Sequence, residues 1–307
     1  MNKEYQLIII GGGPAGLTAG LYSSRAGIKT LLIEKGVIGG QIVNVERIEN
    51  YPGLPEGISG FELTEFMHRQ ALKYGLETLI NEVTTIQNNG KHKIVGTTQN
   101  NFITSAIIIA GGCQRRKLRI PGEDKFTGRG VSYCATCDGP LFRDKRVSIV
   151  GGGNAALTEA LSLTKFASSV KVIHRRHQLR ATQILQKKAF KEPKIEFIWN
   201  TIVTEIEGNS MVSQLKLKEV TTDKISTLKV AGVFVAIGLI PNTNYLKGIV
   251  PLDKMGYIIT NELMETRIPG IFAAGDIRYN SYRQLITAAG DGATAALSAE
   301  RFLKELG

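Results

Sequence analysis

One pattern occurs twice in this 307-residue chain and limits what it can fold into. Leu7–Ile10 is a short apolar strand run, followed at once by Gly11-Gly12-Gly13-Pro14-Ala15-Gly16. A helix-like stretch through Ala26 comes next, then a second strand, Thr30–Ile33, closing with Glu34. Val147–Val150 leads in the same way into Gly151-Gly152-Gly153-Asn154-Ala155-Ala156. A helix-like run to about Ala167 follows, then the strand Val170–Ile173, closing with His174. Gly11 to Glu34 is 23 positions, Gly151 to His174 is also 23, and the copies lie 140 residues apart. Two β-α-β units of one length predict two dinucleotide-binding domains.

Three further apolar runs end in small residues: Ile107–Gly112, Val233–Gly238 and Ile271–Gly275, the last followed by Asp276. The simplest parse inserts the second unit into the first domain. Residues 1–113 and 242–307 then form one discontinuous domain, and 114–241 form the other. Pro121-Gly122 and Pro241-Asn242 are turn signals near both crossings. The expected class is α/β, with two Rossmann-like, three-layer domains, the second inserted into the first. Apolar residues at 43% are enough to build such cores.

The glycines have separate tasks. Gly11 turns strand into helix, Gly13 lets backbone approach a pyrophosphate, and Gly16 permits close helix–strand packing. The helix N-terminus offers unpaired N–H groups to the phosphates. Glu34 suits a ribose with free hydroxyls, as in the adenosine half of FAD or NAD. In the second copy, Gly153, Asn154 and Ala155 open the helix and Ala156 replaces the third glycine, which the pattern allows. At Glu34's counterpart stands His174, followed by Arg175, Arg176 and Arg180. An acid there repels a 2′-phosphate, whereas guanidiniums bind it, so this site is expected to prefer NADPH. His174 and His177 lack further ligands at metal-binding spacing, and no metal is expected.

Cys134-Ala135-Thr136-Cys137 is a C-x-x-C, a spacing that closes easily to a disulfide and cycles with the dithiol. Zinc needs a second pair, and the remaining cysteine, Cys113, stands alone after an apolar strand, as a small hydrophobe does. Asp138 reads either as a proton shuttle for thiolate chemistry or as a turn residue before Gly139-Pro140.

The ensemble resembles the low-molecular-weight, NADPH-dependent thioredoxin reductases of bacteria and archaea, FAD-containing pyridine nucleotide-disulfide oxidoreductases. The resemblance covers nearly the whole chain. It rests on GGGPAG, Gly39–Gln41, Glu49–Gly53, CATCDG, GGGNAA, HRRHQLRA, VAIGLIPNT, and AAGD followed by YRQLITAAGDG. It implies FAD in the interrupted domain, contacted by Gly11, Gly13, Gly16, Glu34, Gln41, Asn50, Gly275, Asp276, Arg283 and Gln284. It implies NADPH in the inserted domain, contacted by Gly153, Asn154, Ala155, His174, Arg175, Arg176 and Arg180. Cys134 and Cys137 match the redox pair and Asp138 the proton donor, with thioredoxin as the partner and a homodimer as the assembly. The chain departs from the family at Ala110-Gly111-Gly112-Cys113, where relatives have Ala-Thr-Gly-Ala, and in the basic string Arg115, Arg116, Lys117 and Arg119.

Two other flavoprotein readings fit less well. A ferredoxin- or flavodoxin-NADP reductase needs no dithiol, and a peroxiredoxin-reducing flavoprotein usually carries an extra N-terminal C-x-x-C domain. Lys plus Arg is 38 against 27 Asp plus Glu, a formal charge of +11. With aromatics at 7% and no nucleic-acid-reading motif, that charge does not make a nucleic-acid binder. No apolar run approaches the ~18 residues of a membrane span, and the first ten residues lack a basic n-region. A cytoplasmic protein without membrane attachment is expected.

Overall fold

A computed structural model describes residues 3–45 and 47–306. The first repeat appears as β1 (Lys3–Ile10), α1 (Pro14–Arg25) and β2 (Thr30–Glu34). α2 (Gly60–Leu72), β3 (Glu77–Ile80), β4 (Val83–Asn89), β5 (His92–Thr97) and β6 (Asn101–Ile109) follow. The chain crosses at β7 (Cys113–Arg115) to β8 (Val131–Ser132) and the short helix α3 (Ala135–Asp138). The second repeat is β9 (Arg146–Val150), α4 (Asn154–Leu163) and β10 (Ser169–Ile173). Then come α5 (Gln183–Lys191), β11 (Ile195–Ile198), β12 (Thr201–Gly208), β13 (Val212–Glu219), β14 (Ile225–Lys229) and β15 (Gly232–Val235). The return runs through β16 (Leu239–Pro241) to β17 (Ile271–Ala273) and α6 (Leu285–Glu305). Two compact units result: Met1–Gln114 with Ile240–Gly307, and Arg115–Leu239.

The sheet of the discontinuous unit has the order β3-β2-β1-β6-β5-β4. Its β3, β2, β1 and β6 are parallel, and β5 and β4 are antiparallel additions. One edge of β6 is shared: β5 pairs with Asn101–Thr104 and β17 with Ile107–Ile109. Strands buried on both faces read as unbroken apolar runs, which is why Ile8-Ile9-Ile10 and Ile107-Ile108-Ile109 look as they do. Side chains alternate between the faces. Leu7, Ile9, Leu32 and Ile108 pack with Leu17 of α1 and Ala295 and Ala299 of α6. Ile8, Ile10, Ile33 and Ile109 pack the other way, against Ile86, Leu246, Val250 and Ile258. Each such isoleucine, fully buried, contributes roughly 1.5–3 kcal/mol.

The inserted unit has the parallel order β11-β10-β9-β15-β8. Val147, Ile149 and Val172 face Leu157 and Leu163 of α4 and Ala189 of α5. The opposite face, with Ile173, Val233 and Val235, is covered by Val203, Ile206, Leu215 and Leu217. Those four belong to the antiparallel sheet β12-β13-β14, so the three layers are helix, parallel sheet and antiparallel sheet. No helix among the described residues is long and apolar enough to cross a membrane.

Candidate active site

The two glycine turns can be compared atom by atom. Gly11 has φ 110°, and a Cβ there meets the Ala110 carbonyl oxygen at 2.4 Å. A Cβ on Gly16 meets the Gly11 oxygen at 1.9 Å, so only glycine lets α1 sit this close to β1. Gly13, by contrast, has nothing within 4 Å of its Cβ position. It is the N-cap of α1, with Pro14 setting the first helical φ and no acid in the first turn. An open cradle therefore lies before free amides, as a pyrophosphate requires. In the second copy, Gly151 is tight against Ala236 and Ala156, while Gly153 again has nothing within 4 Å. Asn154 and Ala155 are exposed there, and the Asn154 Oδ1 accepts from the Thr182 amide at 2.8 Å.

The strand ends after each turn differ in charge. Glu34 accepts from the Gly12 amide at 2.7 Å and from the Gly36 amide at 2.9 Å, which fixes a carboxylate beside the first cradle. His174 is buried, its Nε2 is 2.9 Å from the Gln178 carbonyl oxygen, and a Cβ on Gly152 falls 2.3 Å from its ring. Burial, reinforced by Arg176, Arg180 and Arg175, holds its pKa below the ordinary histidine value. The ring is thus a neutral brace inside the turn rather than a surface charge. Arg175, Arg176 and Arg180 are exposed around it, and the Arg180 amide is tied to the Gly152 oxygen at 2.7 Å. Among the described residues none of the three pairs with a carboxylate, so the cationic rim is available to an anion.

Elsewhere in the discontinuous unit, the Gln41 amide donates to the Cys113 carbonyl, and the Asn50 amide lies 3.4 Å from the Gln284 oxygen. Gly275 has φ 78°, and its amide donates to the Asp291 carboxylate at 3.1 Å. The same Asp291 oxygen takes Arg278 Nε at 2.9 Å and Nη2 at 2.8 Å, an ion pair shielded from solvent. Arg278 and Asp291 thereby brace the Gly275–Asp276 turn. Sequence reasoning did not single them out; the signal available was the second Ala-Ala-Gly-Asp, at Ala288–Asp291. Arg283 has φ 57°, is exposed, and lies with its guanidinium carbon 5.1 Å from the Tyr257 ring centroid.

In the inserted unit, Cys134 and Cys137 form a disulfide, with Cα atoms 5.3 Å apart. Cys134 is the N-cap of α3, and its sulfur accepts from the Cys137 amide at 3.2 Å. Cys137 is the more exposed of the two. Asp138 is held in place: Ser132 Oγ donates to it at 2.6 Å and also accepts from the Cys134 amide at 3.1 Å. This single hydroxyl links the acid to the redox pair. Behind α3, the Glu159 carboxyl on α4 accepts from the Ala135 amide, and one of its oxygens is buried without a partner. Burial pushes its pKa up to about 7, against the pull of that amide and of Arg115. The basic string before β8 is organised by buried Glu123. Its carboxylate accepts from the amides of Leu118 at 2.9 Å and Arg119 at 2.7 Å, and from the Tyr133 hydroxyl at 2.9 Å. Among the described residues no group of three or more His, Cys, Asp or Glu is placed to hold a metal ion.

The pyridine nucleotide-disulphide oxidoreductase family model matches residues 5–292, a span that includes both glycine turns and the C-x-x-C disulfide. The chain belongs to the pyridine nucleotide-disulphide oxidoreductases. Within that family it stands with the thioredoxin reductases, an oxidoreductase class. It is 45% identical to the thioredoxin reductase of Bacillus subtilis over 306 residues, covering 99% of this chain and 96% of that one. The crystal structure of the Streptococcus pyogenes thioredoxin reductase is 44% identical, with a TM-score of 0.95 covering 99% of this chain and 100% of that one. A thioredoxin reductase of Giardia duodenalis, 36% identical, gives 0.94 over 99% and 100%. Family membership implies a flavin and a pyridine nucleotide, and the open space before a helix N-terminus at Gly13 and at Gly153 is compatible with their phosphates.

Proposed function

We propose that this oxidoreductase passes electrons from NADPH through FAD to the Cys134–Cys137 disulfide, and from the resulting dithiol to thioredoxin or a thioredoxin-like protein. The observation that carries the reading is the contrast between the cradles, a carboxylate beside one and three arginines beside the other, with the disulfide in the arginine-bearing unit. FAD belongs to 1–113 and 242–307, held by Gly11, Gly13, Gly16, Glu34, Gln41, Asn50, Gly275, Asp276, Arg283 and Gln284. NADPH belongs to 114–241, held by Gly153, Asn154, Ala155, Arg175, Arg176 and Arg180, with His174 as the brace beneath them.

The bound cofactors supply hydride acceptance and transfer of an electron pair to sulfur. The chain's own residues do the rest. Reduction of the disulfide breaks one S–S bond with two electrons and two protons. Asp138, fixed by Ser132 beside the Cys134 amide, is placed to give one proton and to take it back. One cysteine thiolate then attacks the partner's disulfide. The second cysteine then attacks the first cysteine's sulfur in the mixed disulfide and expels the partner's thiolate, leaving the partner as a dithiol and this chain oxidised.

A homodimer is part of the proposal. Tyr22, Phe61, Phe66 and Leu72 on α1 and α2 are all more than a third exposed, and large apolar side chains left exposed on two helices that pack together favour a second copy. Light scattering on the purified protein checks the assembly. We place the enzyme in the cytoplasm, where dithiols are kept reduced. Anaerobic titration followed by flavin absorbance tests the cofactor chain. NADPH bleaches the flavin, NADH does so only weakly, and more than one electron pair is taken up per chain. Uptake of a single pair would remove the disulfide from the electron path.

A further inference from the structure

We propose that Cys113 and Tyr257 are positioning residues for the flavin, holding Asp276 and Arg283 where those two residues grip it; this rests on the FAD assignment above. The residues assigned to FAD reach the site from distant parts of the chain, and something must keep them in register. Cys113 does this in two directions. Its Sγ donates to the Asp276 carbonyl oxygen at 2.9 Å, across 163 residues of sequence. Its own carbonyl accepts from the Gln41 side-chain amide, across 72 residues. One buried residue therefore fastens the Gln41 loop to the Gly275–Asp276 turn.

Tyr257 supports Arg283. The tyrosine is 3% exposed, and the guanidinium lies over its ring, in the geometry of a cation–π contact. Arg283 needs such support because its backbone is left-handed, a conformation few non-glycine residues hold unaided. Its other visible restraint is the Ser281 hydroxyl, which accepts from the Arg283 amide at 3.2 Å. Cys113 thus holds the Asp276 backbone and Tyr257 the Arg283 side chain, one contact for each of the two residues. Burial pushes the Cys113 thiol up to about 12, which keeps it in the S–H form that its bond to the Asp276 carbonyl requires. Cys113 then has a structural task distinct from that of the redox pair, despite sharing its chemistry.

The test is release of FAD from the purified holoprotein, followed as the rise of free-flavin fluorescence on dilution. Tyr257→Leu removes the ring beneath Arg283, and Cys113→Ala only the thiol. Each should speed release by about three- to tenfold, the worth of a typical hydrogen bond or cation–π contact. Cys113→Ser, which keeps a donor at the same place, should restore slow release. Affinity for 2′,5′-ADP, a probe of the inserted unit, should not change in any variant. Should Cys113→Ala fail to fold, Tyr257→Leu and Cys113→Ser carry the test. Release at the wild-type rate from Tyr257→Leu, or release from Cys113→Ser as fast as from Cys113→Ala, overturns the proposal. A wild-type protein that never retains FAD overturns instead the cofactor assignment on which it stands.

Discussion

The side chains that choose the nucleotide are few. Glu34 and His174 occupy equivalent strand ends, yet one is a fixed carboxylate and the other a buried neutral ring. On the proposed assignment, discrimination at the second site falls to the arginines around His174. Charge-assisted hydrogen bonds of ~1.5–3 kcal/mol each imply at least about a tenfold loss per contact removed. Arg175→Ala with Arg176→Ala should raise KM for NADPH by that order and leave KM for NADH nearly unchanged. Equal losses for both coenzymes would show that these residues do not read the 2′-phosphate. The redox pair makes a second, separate case. Cys137→Ser leaves both cradles intact, so stopped-flow reduction of the flavin by NADPH should persist while thioredoxin reduction disappears. Thioredoxin turnover at the wild-type rate would rule the relay out. The arginines, cysteines and glycines were legible in sequence because their chemistry depends on residue type and spacing. His174 shows the limit: its place in the motif was visible, but the direction of its ring depends on Gly152 having no side chain. Arg278 and Asp291 could not be paired from sequence, since an ion pair 13 residues apart follows no periodicity and the repeated Ala-Ala-Gly-Asp marks only Asp291.

Elements carry the next level of information. Both β-α-β repeats could be read because parallel strands buried on two faces leave unbroken apolar runs, and glycines mark their ends. The β12-β13-β14 sheet could not be read in the same way. Its strands mix Lys and Glu with the apolar residues, and the layer it covers is defined only after β9, β10 and β15 have assembled. The packing of α3 on α4 is another tertiary result, and it leaves a mark on pH behaviour. Glu159 is raised from the ordinary 4.5 to about 7, chiefly by burial. A carboxyl that holds its proton more tightly when folded contributes fully below about pH 4.5, and that contribution is lost as pH climbs through about 7. At ~1.36 kcal/mol per pKa unit, the loss amounts to about 3 kcal/mol at most. Glu159→Gln cannot ionise, so relative to the wild type its melting temperature should gain several degrees between about pH 4.5 and pH 8. Parallel melting profiles across that range would free Glu159 of this role.

At the scale of the molecule, charge acts over distances that no single contact reaches. A net charge of +11 should speed encounter with an acidic thioredoxin, through attraction that salt screens. The Debye length falls from about 30 Å at 0.01 M to about 10 Å at 0.1 M. kcat/KM for thioredoxin should therefore fall over that range while kcat holds steady, because steering acts on association. Flavin reduction at saturating NADPH is the control, since NADPH is itself an anion. A kcat/KM independent of salt would remove steering from the account.

The insertion of one unit within the other also has a consequence in time. Arg115–Leu239 is continuous and carries its own core, whereas the discontinuous unit lacks β17 and α6 until Ile240–Gly307 has been made. Domains fold as units while the chain is still being synthesised. The inserted unit is therefore complete on the ribosome while its host is still an unfinished sheet, with β6 missing the neighbour for its second half. Gly275, Asp276, Arg283 and Gln284 emerge last of the residues assigned to FAD, so the nascent chain holds its disulfide-forming cysteines well before it can hold a flavin.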